Sequence, residues 1–175
     1  MGINGILTKR NTPTVAYLTN IKSFFWDGRA SSLEEQATIP ITNPHEMGLT
    51  MKEVISRLSS DTSYVSWFNE VYQQLPDSAT ISSALAAFQQ TLVYRTSPYD
   101  LYIQHQDSSK MSAKALHGVR LFFGKARCSQ CHKGADFADG DFRNIGINSG
   151  DAGRVDFTEN PEDLRKFKTP TLRNI

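Results

Sequence analysis

The sequence predicts an all-α fold with long loops. In several segments apolar residues recur every three or four positions, which is the spacing of one buried helix face. The clearest stripe runs through Ile81, Ala84, Leu85, Phe88 and Leu92. Residue types that cap helix N termini precede most of these segments. The stretch 133–175 is instead rich in Gly, Asp and Asn, so we expect it to be mostly loop.

The first third of the chain predicts a buried turn and two short helices. The aromatic run at 24–26, followed by Asp-Gly-Arg, is typical of a buried turn. A Ser-x-x-Glu capping box at 32–35 predicts a helix that Pro40 ends. A Thr-x-x-Glu capping box at 50–53 predicts a second helix, to about Leu58.

Four more helices are predicted in the rest of the chain. Asp61 is placed to cap a helix over about 62–75, and Thr80 to cap a longer helix that ends near Tyr94. The last two are Pro98–His105 and Ala113–Phe123, the second of them between a Ser112 cap and a left-handed Gly124.

Length and composition suit one domain or two small ones. The chain has 175 residues, of which 39% are hydrophobic, and its ten Phe and two Trp can supply a core. The Arg-Thr-Ser-Pro run at 95–98 has the composition of a junction. We therefore expect a domain boundary between 1–96 and 97–175.

The charge balance gives no reason to expect nucleic acid or an anionic membrane as a partner. Lys and Arg number 19 and Asp and Glu 18, so the formal net charge is +1. No apolar run approaches the roughly 20 residues of a membrane-spanning helix. We expect a protein without a membrane span.

One pentapeptide, Cys128-Ser129-Gln130-Cys131-His132, predicts a covalently attached haem c. In the C-x-x-C-H signature the two thiols add to the vinyl groups of one porphyrin. The imidazole directly after the second thiol then becomes the proximal ligand of the iron. The chain has only these two cysteines. Cys128, Cys131 and His132 are therefore the predicted cofactor ligands, with His132 on the iron.

Three other interpretations of this pentapeptide are weaker. A disulfide between the two cysteines would leave His132 unexplained. A structural zinc site normally needs four ligands, and the other histidines, His45, His105 and His117, stand alone in the sequence. A thioredoxin-like motif needs a βαβ context, and no strands are predicted nearby. Haem is the interpretation that uses all three residues.

Covalent haem attachment normally takes place outside the cytoplasm, yet the first ten residues do not form a signal peptide. We therefore expect the sequence to be a fragment or a mature chain.

Seven segments, in one order along the chain, carry a resemblance to a known family. They are 10–14 (RNTPT), 25–29 (FWDGR), 33–37 (LEEQA), 43–47 (NPHEM), 128–132 (CSQCH), 151–154 (DAGR) and 167–174 (FKTPTLRN). With them the sequence resembles the bacterial di-haem cytochrome c peroxidases. That family includes the related haem enzyme that matures a tryptophan-derived quinone in methylamine metabolism. The combination is far more specific than C-x-x-C-H alone.

The resemblance implies two cytochrome-c-like helical domains with one haem each. Residues 1–96 would be the later part of the first, peroxidatic domain, and 97–175 the beginning of the second, electron-transfer domain. The attachment site of the first haem is then expected upstream of Met1. The sixth ligand of the second haem, Met in the peroxidases and Tyr in the quinone-maturing relative, is expected beyond Ile175.

The resemblance also implies roles for single residues. Glu46 would be the catalytic acid–base group and Gln36 a second polar group of the peroxide pocket, which Pro40 would wall. Trp26 would carry electrons between the haems, and Asn11 would give a side-chain oxygen to a calcium ion. From the residues alone ordinary roles stay open: a solvated carboxylate, a helix-surface amide, a core indole and a turn-capping amide.

The function implied is reduction of hydrogen peroxide to water with electrons from a small cytochrome c or cupredoxin, in the periplasm. We expect the activity of the parent protein, and not of the fragment alone; a homodimer is left open. Two alternatives remain. One is a di-haem oxidase that matures a protein-derived quinone cofactor. The other is a mono-haem electron carrier or a remnant without haem, although a pure carrier would need no proton-transfer pair such as Gln36 and Glu46.

Overall fold

The computed structural model describes residues 2–148 and 150–175, with only the backbone of residue 4. It divides the chain into two compact units. The first unit comprises the residues up to Thr14 together with Lys22–Thr91, and the second comprises Val15–Ile21 and Leu92–Ile175. The described residues are mostly helical, with one two-stranded sheet. The all-α prediction is confirmed.

The first unit contains four helices, α1 to α4. They are Leu33–Thr42, Met51–Ser59, Thr62–Tyr72 and Ser78–Thr91, after a 3-10 turn at Ile3–Gly5. Helix α1 packs against α4, and the buried residues of the two helices are Leu33, Ala37, Thr80, Ile81, Ser82 and Ala86. The core of the unit also contains Phe24, Ala30 and Phe68.

Three boundaries in the first unit differ from the prediction. Pro40 lies inside α1, because a proline removes only its own N–H and the helix resumes with Asn43 N donating to Ile39 O at 2.9 Å. Helix α3 ends at Tyr72, where Gln73 adopts a left-handed conformation with φ of 56°. Helix α4 ends at Thr91 and not near Tyr94.

The capping residues at the N termini of α2 and α3 are the predicted ones, and the one at α4 is not. The Thr50–Glu53 box is complete, and Asp61 caps α3 as predicted. At the start of α4 the prediction of Thr80 was wrong. The residue in the capping position is Asp77, whose Oδ1 accepts from Thr80 N at 2.8 Å while Asp77 N donates to Thr80 Oγ1 at 3.1 Å.

The second unit contains α5 to α7 and a small sheet. The helices are Pro98–His105, Ala113–Phe123 and Val155–Thr158, and the antiparallel strands are β1 at Phe142–Arg143 and β2 at Phe167–Lys168. The first two helices have the predicted bounds. The prediction of mostly loop over 133–175 is confirmed as well; two-residue strands are too short to show a period in sequence.

Gly124 ends α6, but its conformation is not the predicted left-handed one. Its φ is −109° and its ψ −113°. A Cβ at this position would lie 2.6 Å from Arg120 O. Glycine is therefore required by the close approach of the backbone and not by a positive φ.

The segment Val15–Ile21 joins the second unit through its tyrosine. Tyr17 N donates to Leu92 O at 3.0 Å, and the Tyr17 hydroxyl donates to Tyr94 O at 2.8 Å.

Within the described residues no helix is long and apolar enough to cross a membrane. The assignment of a peroxidatic and an electron-transfer domain to the two parts of the chain stays a prediction.

Candidate functional site

The C-x-x-C-H pentapeptide forms a tight turn in the second unit. A 3-10 turn covers Cys128–Gln130 and follows Arg127, which has a positive φ of 58°. Cys128 O accepts from Cys131 N at 3.2 Å and from His132 N at 2.9 Å. Both thiols are free and half-buried. The turn therefore presents two thiols and one imidazole from a single short loop.

The orientation of the His132 ring is fixed by a backbone carbonyl. Nδ1 lies 3.0 Å from Phe137 O. Because a carbonyl only accepts, Nδ1 is the donor in this pair, and Nε2 is the ring nitrogen left to face a metal ion. This is the arrangement of a metal-ligating imidazole. With the two free thiols, the donor set fits haem c. The described residues contain no group of three or more His, Cys, Asp and Glu that could hold a metal ion, so the zinc interpretation gains no support.

The loop that supplies this carbonyl is held at Ala135, two residues earlier. Ala135 O accepts from Arg95 Nη1 at 2.8 Å, from Arg173 Nε at 2.9 Å and from Arg173 Nη2 at 2.6 Å. Arg173 also pairs with Asp100 at 2.7 Å, and both of these side chains are less than 10% exposed. One carbonyl oxygen is thus fixed by two arginines from distant parts of the sequence.

Asp136 is the second fixed residue of the loop. Its carboxylate accepts from Arg95 Nη2 at 2.6 Å and from Asn20 Nδ2 at 3.3 Å, and only 7% of the side chain is exposed. Its carbonyl oxygen accepts from Thr171 Oγ1 at 2.5 Å. The three consecutive carbonyls of residues 135–137, which we call the carbonyl triplet, therefore all accept side-chain hydrogen bonds.

An open cavity of about 560 Å³ lies in the same unit. Phe137, Arg173 and three tyrosines, Tyr17, Tyr94 and Tyr99, are among its lining residues. Burial raises the pKa of Tyr99 despite the nearby Arg173 cation. The Phe137 ring contacts Tyr99, with the ring centroids 5.3 Å apart, and the Arg173 guanidinium lies 5.0 Å from its centroid. The residue whose carbonyl faces His132 thus also forms part of an aromatic wall.

In the first unit Glu46 lies in the loop after α1. It is half-buried, and its Oε1 accepts from Asn43 Nδ2 at 3.2 Å. Glu46 N donates to Asn43 O at 2.9 Å, and Met47 N donates to Pro40 O at 3.1 Å. These bonds fold the loop back on the C-terminal end of α1. Gln36 lies nearer the beginning of the same helix. His45, next to Glu46, is exposed.

Gln36 has an unusual environment. Among the described residues its Oε1 is one of two buried side-chain atoms without a hydrogen-bond partner; the other is Oε1 of Gln89 on α4. An unpartnered buried acceptor costs about 1–3 kcal/mol and is uncommon enough to need an explanation. A bound group that donates a hydrogen bond would be one.

Trp26 and Asn11 are brought together by one hydrogen bond. The indole Nε1 donates to Asn11 O at 2.7 Å, while the Asn11 side chain is exposed. The neighbouring Asp27 is 5% exposed and pairs with Arg10 at 2.5 Å and Arg29 at 3.0 Å. The aromatic turn is therefore fastened to residues 10 and 11.

A scan against family models supplies the decisive comparison. A model described as di-haem cytochrome c peroxidase matches residues 1–108. The chain belongs to this family. Membership implies haem c as the cofactor of the family, and the donor set of Cys128, Cys131 and His132 fits it.

Individual relatives agree with the family. The chain is 39% identical over its whole length to the methylamine utilization protein MauG of Methylorubrum extorquens, covering 51% of that protein. It is 36% identical over 94% of its length to the cytochrome c551 peroxidase of Nitrosomonas europaea, again covering 51%. The chain thus spans about half the length of these relatives.

A solved structure confirms the fold. The crystal structure of a MauG-like protein associated with microbial copper homeostasis superimposes with a TM-score of 0.85 at 28% identity. The match covers 99% of this chain and 58% of that one.

Proposed function

We propose that this chain forms part of a di-haem enzyme that reduces hydrogen peroxide to water with electrons from a small redox protein. The observation that carries the proposal is the buried, unpartnered Oε1 of Gln36, on the helix whose C-terminal loop carries Glu46. Relatives named as cytochrome c peroxidases support it. The free oxygen offers an acceptor to a small ligand with O–H groups, such as peroxide.

Glu46 has the chemistry to move the proton. Reduction of hydrogen peroxide consumes two electrons and two protons and releases two waters. Glu46 takes a proton from one peroxide oxygen and delivers it to the other, where the O–O bond breaks and water leaves. General acid–base catalysis of this kind contributes about 10²–10⁴-fold. The Asn43 amide, which donates to Glu46 Oε1, holds the carboxylate in place.

Gln36 orients the peroxide by accepting one of its O–H groups. Cys128, Cys131 and His132 hold a haem c, which supplies one-electron chemistry when bound. Trp26 assists electron transfer toward the peroxide pocket. We also propose a second haem site upstream of Met1, a location in the periplasm, and Asn11 as a calcium ligand.

The alternative function is a di-haem oxidase that matures a protein-derived quinone. The similarity to MauG at 39% identity favours it. The sixth ligand of the haem at His132 discriminates the two: Met supports the peroxidase and Tyr the oxidase. An absorption spectrum of the oxidised and reduced natural full-length protein reports that ligand.

The test of the main proposal is Glu46→Gln in the natural full-length protein. We expect peroxide turnover to fall about 10²–10⁴-fold, with two haems per chain by pyridine haemochrome before and after the change. The control is Glu34→Gln, an exposed carboxylate on α1, which should keep turnover unchanged. Full turnover in Glu46→Gln would remove the acid–base role, and a single haem in the unaltered protein would refute the di-haem proposal.

A further inference from the structure

We propose that Arg95 and Asp136 are positioning residues that set the hydrogen bond between His132 and Phe137, and through it the reduction potential of the haem held at His132. This inference rests on the proposed attachment of haem at Cys128 and Cys131. Neither residue belongs to the C-x-x-C-H turn. Their effect would pass through the carbonyl triplet.

Phe137 has an unusual backbone conformation. Its φ is +51°, in the left-handed region that a bulky side chain rarely adopts. Such a conformation costs about 1–2 kcal/mol and persists only where the surroundings enforce it. Phe137 N donates to Gly134 O at 3.2 Å, so residues 134–137 form a tight turn. The direction of Phe137 O depends on this turn.

Side chains from distant parts of the sequence hold this turn in place. Arg95 spans two of its residues, donating through Nη1 to Ala135 O at 2.8 Å and through Nη2 to the Asp136 carboxylate at 2.6 Å. Thr171 holds Asp136 O. The carboxylate is almost fully buried, so these charge-assisted bonds are short and little screened by solvent. Arg173 also donates to Ala135 O, so the loss of Arg95 or Asp136 loosens the hold on the carbonyl triplet and does not remove it. Arg95 and Asp136 act as one clamp on residues 135 and 136.

The direction of Phe137 O affects the basicity of the His132 imidazole as a ligand of the haem iron. When the ring nitrogen that does not bind the metal donates a hydrogen bond to a carbonyl, the imidazole becomes a more basic ligand. A more basic imidazole stabilises ferric over ferrous iron and lowers the potential. If the clamp is released, Phe137 O moves from the line of the Nδ1–H bond, the hydrogen bond weakens and the potential rises. Mutation of such outer partners typically costs 10–100-fold in metal affinity or activity.

The sign of the shift separates this effect from simple charge. By electrostatics alone, loss of the Asp136 carboxylate would raise the potential of a haem held at His132, whereas loss of the Arg95 cation would lower it. Release of the clamp raises the potential in both cases. Asp136→Asn and Arg95→Gln therefore move the potential in the same direction only if both act through the hydrogen bond.

The experiment is a redox titration of the natural full-length holoprotein, with the haem at Cys128 and Cys131 followed by its own absorption bands. We expect both variants to shift the ferric–ferrous equilibrium about tenfold toward ferrous, which is 59 mV for one electron. The matched control is Asp139→Asn. Asp139, whose side chain is 3% exposed, pairs with Arg143 at 2.6 Å in the same loop, and within the described residues none of its hydrogen bonds reaches the carbonyl triplet.

A second measurement reads the hydrogen bond directly. In protein labelled with ¹⁵N-histidine, exchange of the His132 Nδ1 proton with solvent should be faster in both variants and unchanged in Asp139→Asn. Thr171→Val, which changes no charge, should raise the potential in the same direction and keeps the test available if Asp136→Asn does not fold. Arg95→Lys retains the charge and only one of the two bonds, so its shift should be intermediate.

Opposite shifts for Arg95→Gln and Asp136→Asn, or shifts equal to that of the control, overturn the inference. The mass of the proteolytic peptide that contains residues 128–132 reports whether haem is attached. Absence of haem there overturns both this inference and the proposed function. Attached haem with an unchanged potential overturns this inference alone.

Discussion

The turn around His132 and the region of Gln36 and Glu46 use hydrogen bonds in opposite ways. Beside His132 three consecutive carbonyls all accept side-chain hydrogen bonds, and two of the donors are arginines. At Gln36 a buried oxygen has no partner among the described residues. A residue that must hold a cofactor is surrounded by satisfied groups. Under the proposed function Gln36 receives a substrate, which would account for an acceptor kept free at a cost in stability.

The largest effect that tests this comparison is expected from Gln36→Leu. Leucine has a similar volume and removes the unpartnered oxygen. Loss of a group that orients the bound reactant reduces the rate on the order of 10²-fold. At the same time the unfolding free energy should rise by about 1 kcal/mol, because an unsatisfied buried acceptor is removed. Steady-state peroxide turnover and chemical denaturation of the same preparation measure the two quantities.

The control for this variant is Gln89→Leu, the same change at the other unpartnered buried oxygen. It should stabilise the protein by a comparable amount and leave turnover unchanged. Equal losses of turnover in both variants would contradict a specific role for Gln36. A destabilised Gln36→Leu protein would show that the oxygen is satisfied by the fold itself.

A smaller effect is expected from Asp100→Asn, on the well-satisfied side of the comparison. Burial alone would raise the pKa of Asp100, but hydrogen bonds from Ser97 and Arg173 outweigh it, so the pKa lies below its ordinary value. A lowered pKa stabilises the fold above the unfolded value of about 3.9, and this stability is lost as the pH falls through the folded pKa. At pH 7 the substitution should cost about 2 kcal/mol.

Thermal unfolding followed by circular dichroism between pH 7 and pH 3 checks this prediction. The midpoint of the variant should lie several degrees below that of the unaltered protein at pH 7, and the gap should narrow below about pH 4. Asp107→Asn serves as the control, because Asp107 is a cap whose side chain is 41% exposed and whose pKa is also lowered, by Ser109. A gap independent of pH would show that the Asp100 charge is not the cause.

The sequence was informative where structure is local. The cap Ser112 and the box at 50–53 determine hydrogen bonds within four residues, and both helices begin where these signals predict. The clamp could not be predicted in this way. Arg95 and Asp136 are 41 residues apart, and neither carries a pattern that names its partner. The family resemblance covered Arg173 and Thr171 without giving them a role.

The unpartnered oxygen of Gln36 could not be predicted either. A glutamine in a helix is most often exposed, and the sequence pattern does not show which of its atoms lacks a donor. The resemblance indicated the residue, and only the structure shows that its oxygen is buried. The resemblance names Gln36 and Glu46 as candidate pocket residues, and those roles stay predictions, whereas the burial and hydrogen bonding of both residues come only from the structure.

The smallest effect is expected from Trp26→Phe. The indole is fixed by a single bond, from Nε1 to Asn11 O, which contributes about 1 kcal/mol. Phenylalanine keeps most of the aromatic surface and loses that bond. If Trp26 carries electrons, electron transfer between the haems after rapid reduction should be slower, with peroxide binding unchanged. The control is Trp67→Phe on α3, where the indole is 57% exposed. Equal electron-transfer rates in the two variants would assign Trp26 to packing alone. A slower rate in Trp26→Phe only would support the electron-transfer role. Trp26 would then be a third kind of site beside His132 and Gln36. One hydrogen bond is enough to hold such a residue, because an electron carrier binds no ligand and moves no proton.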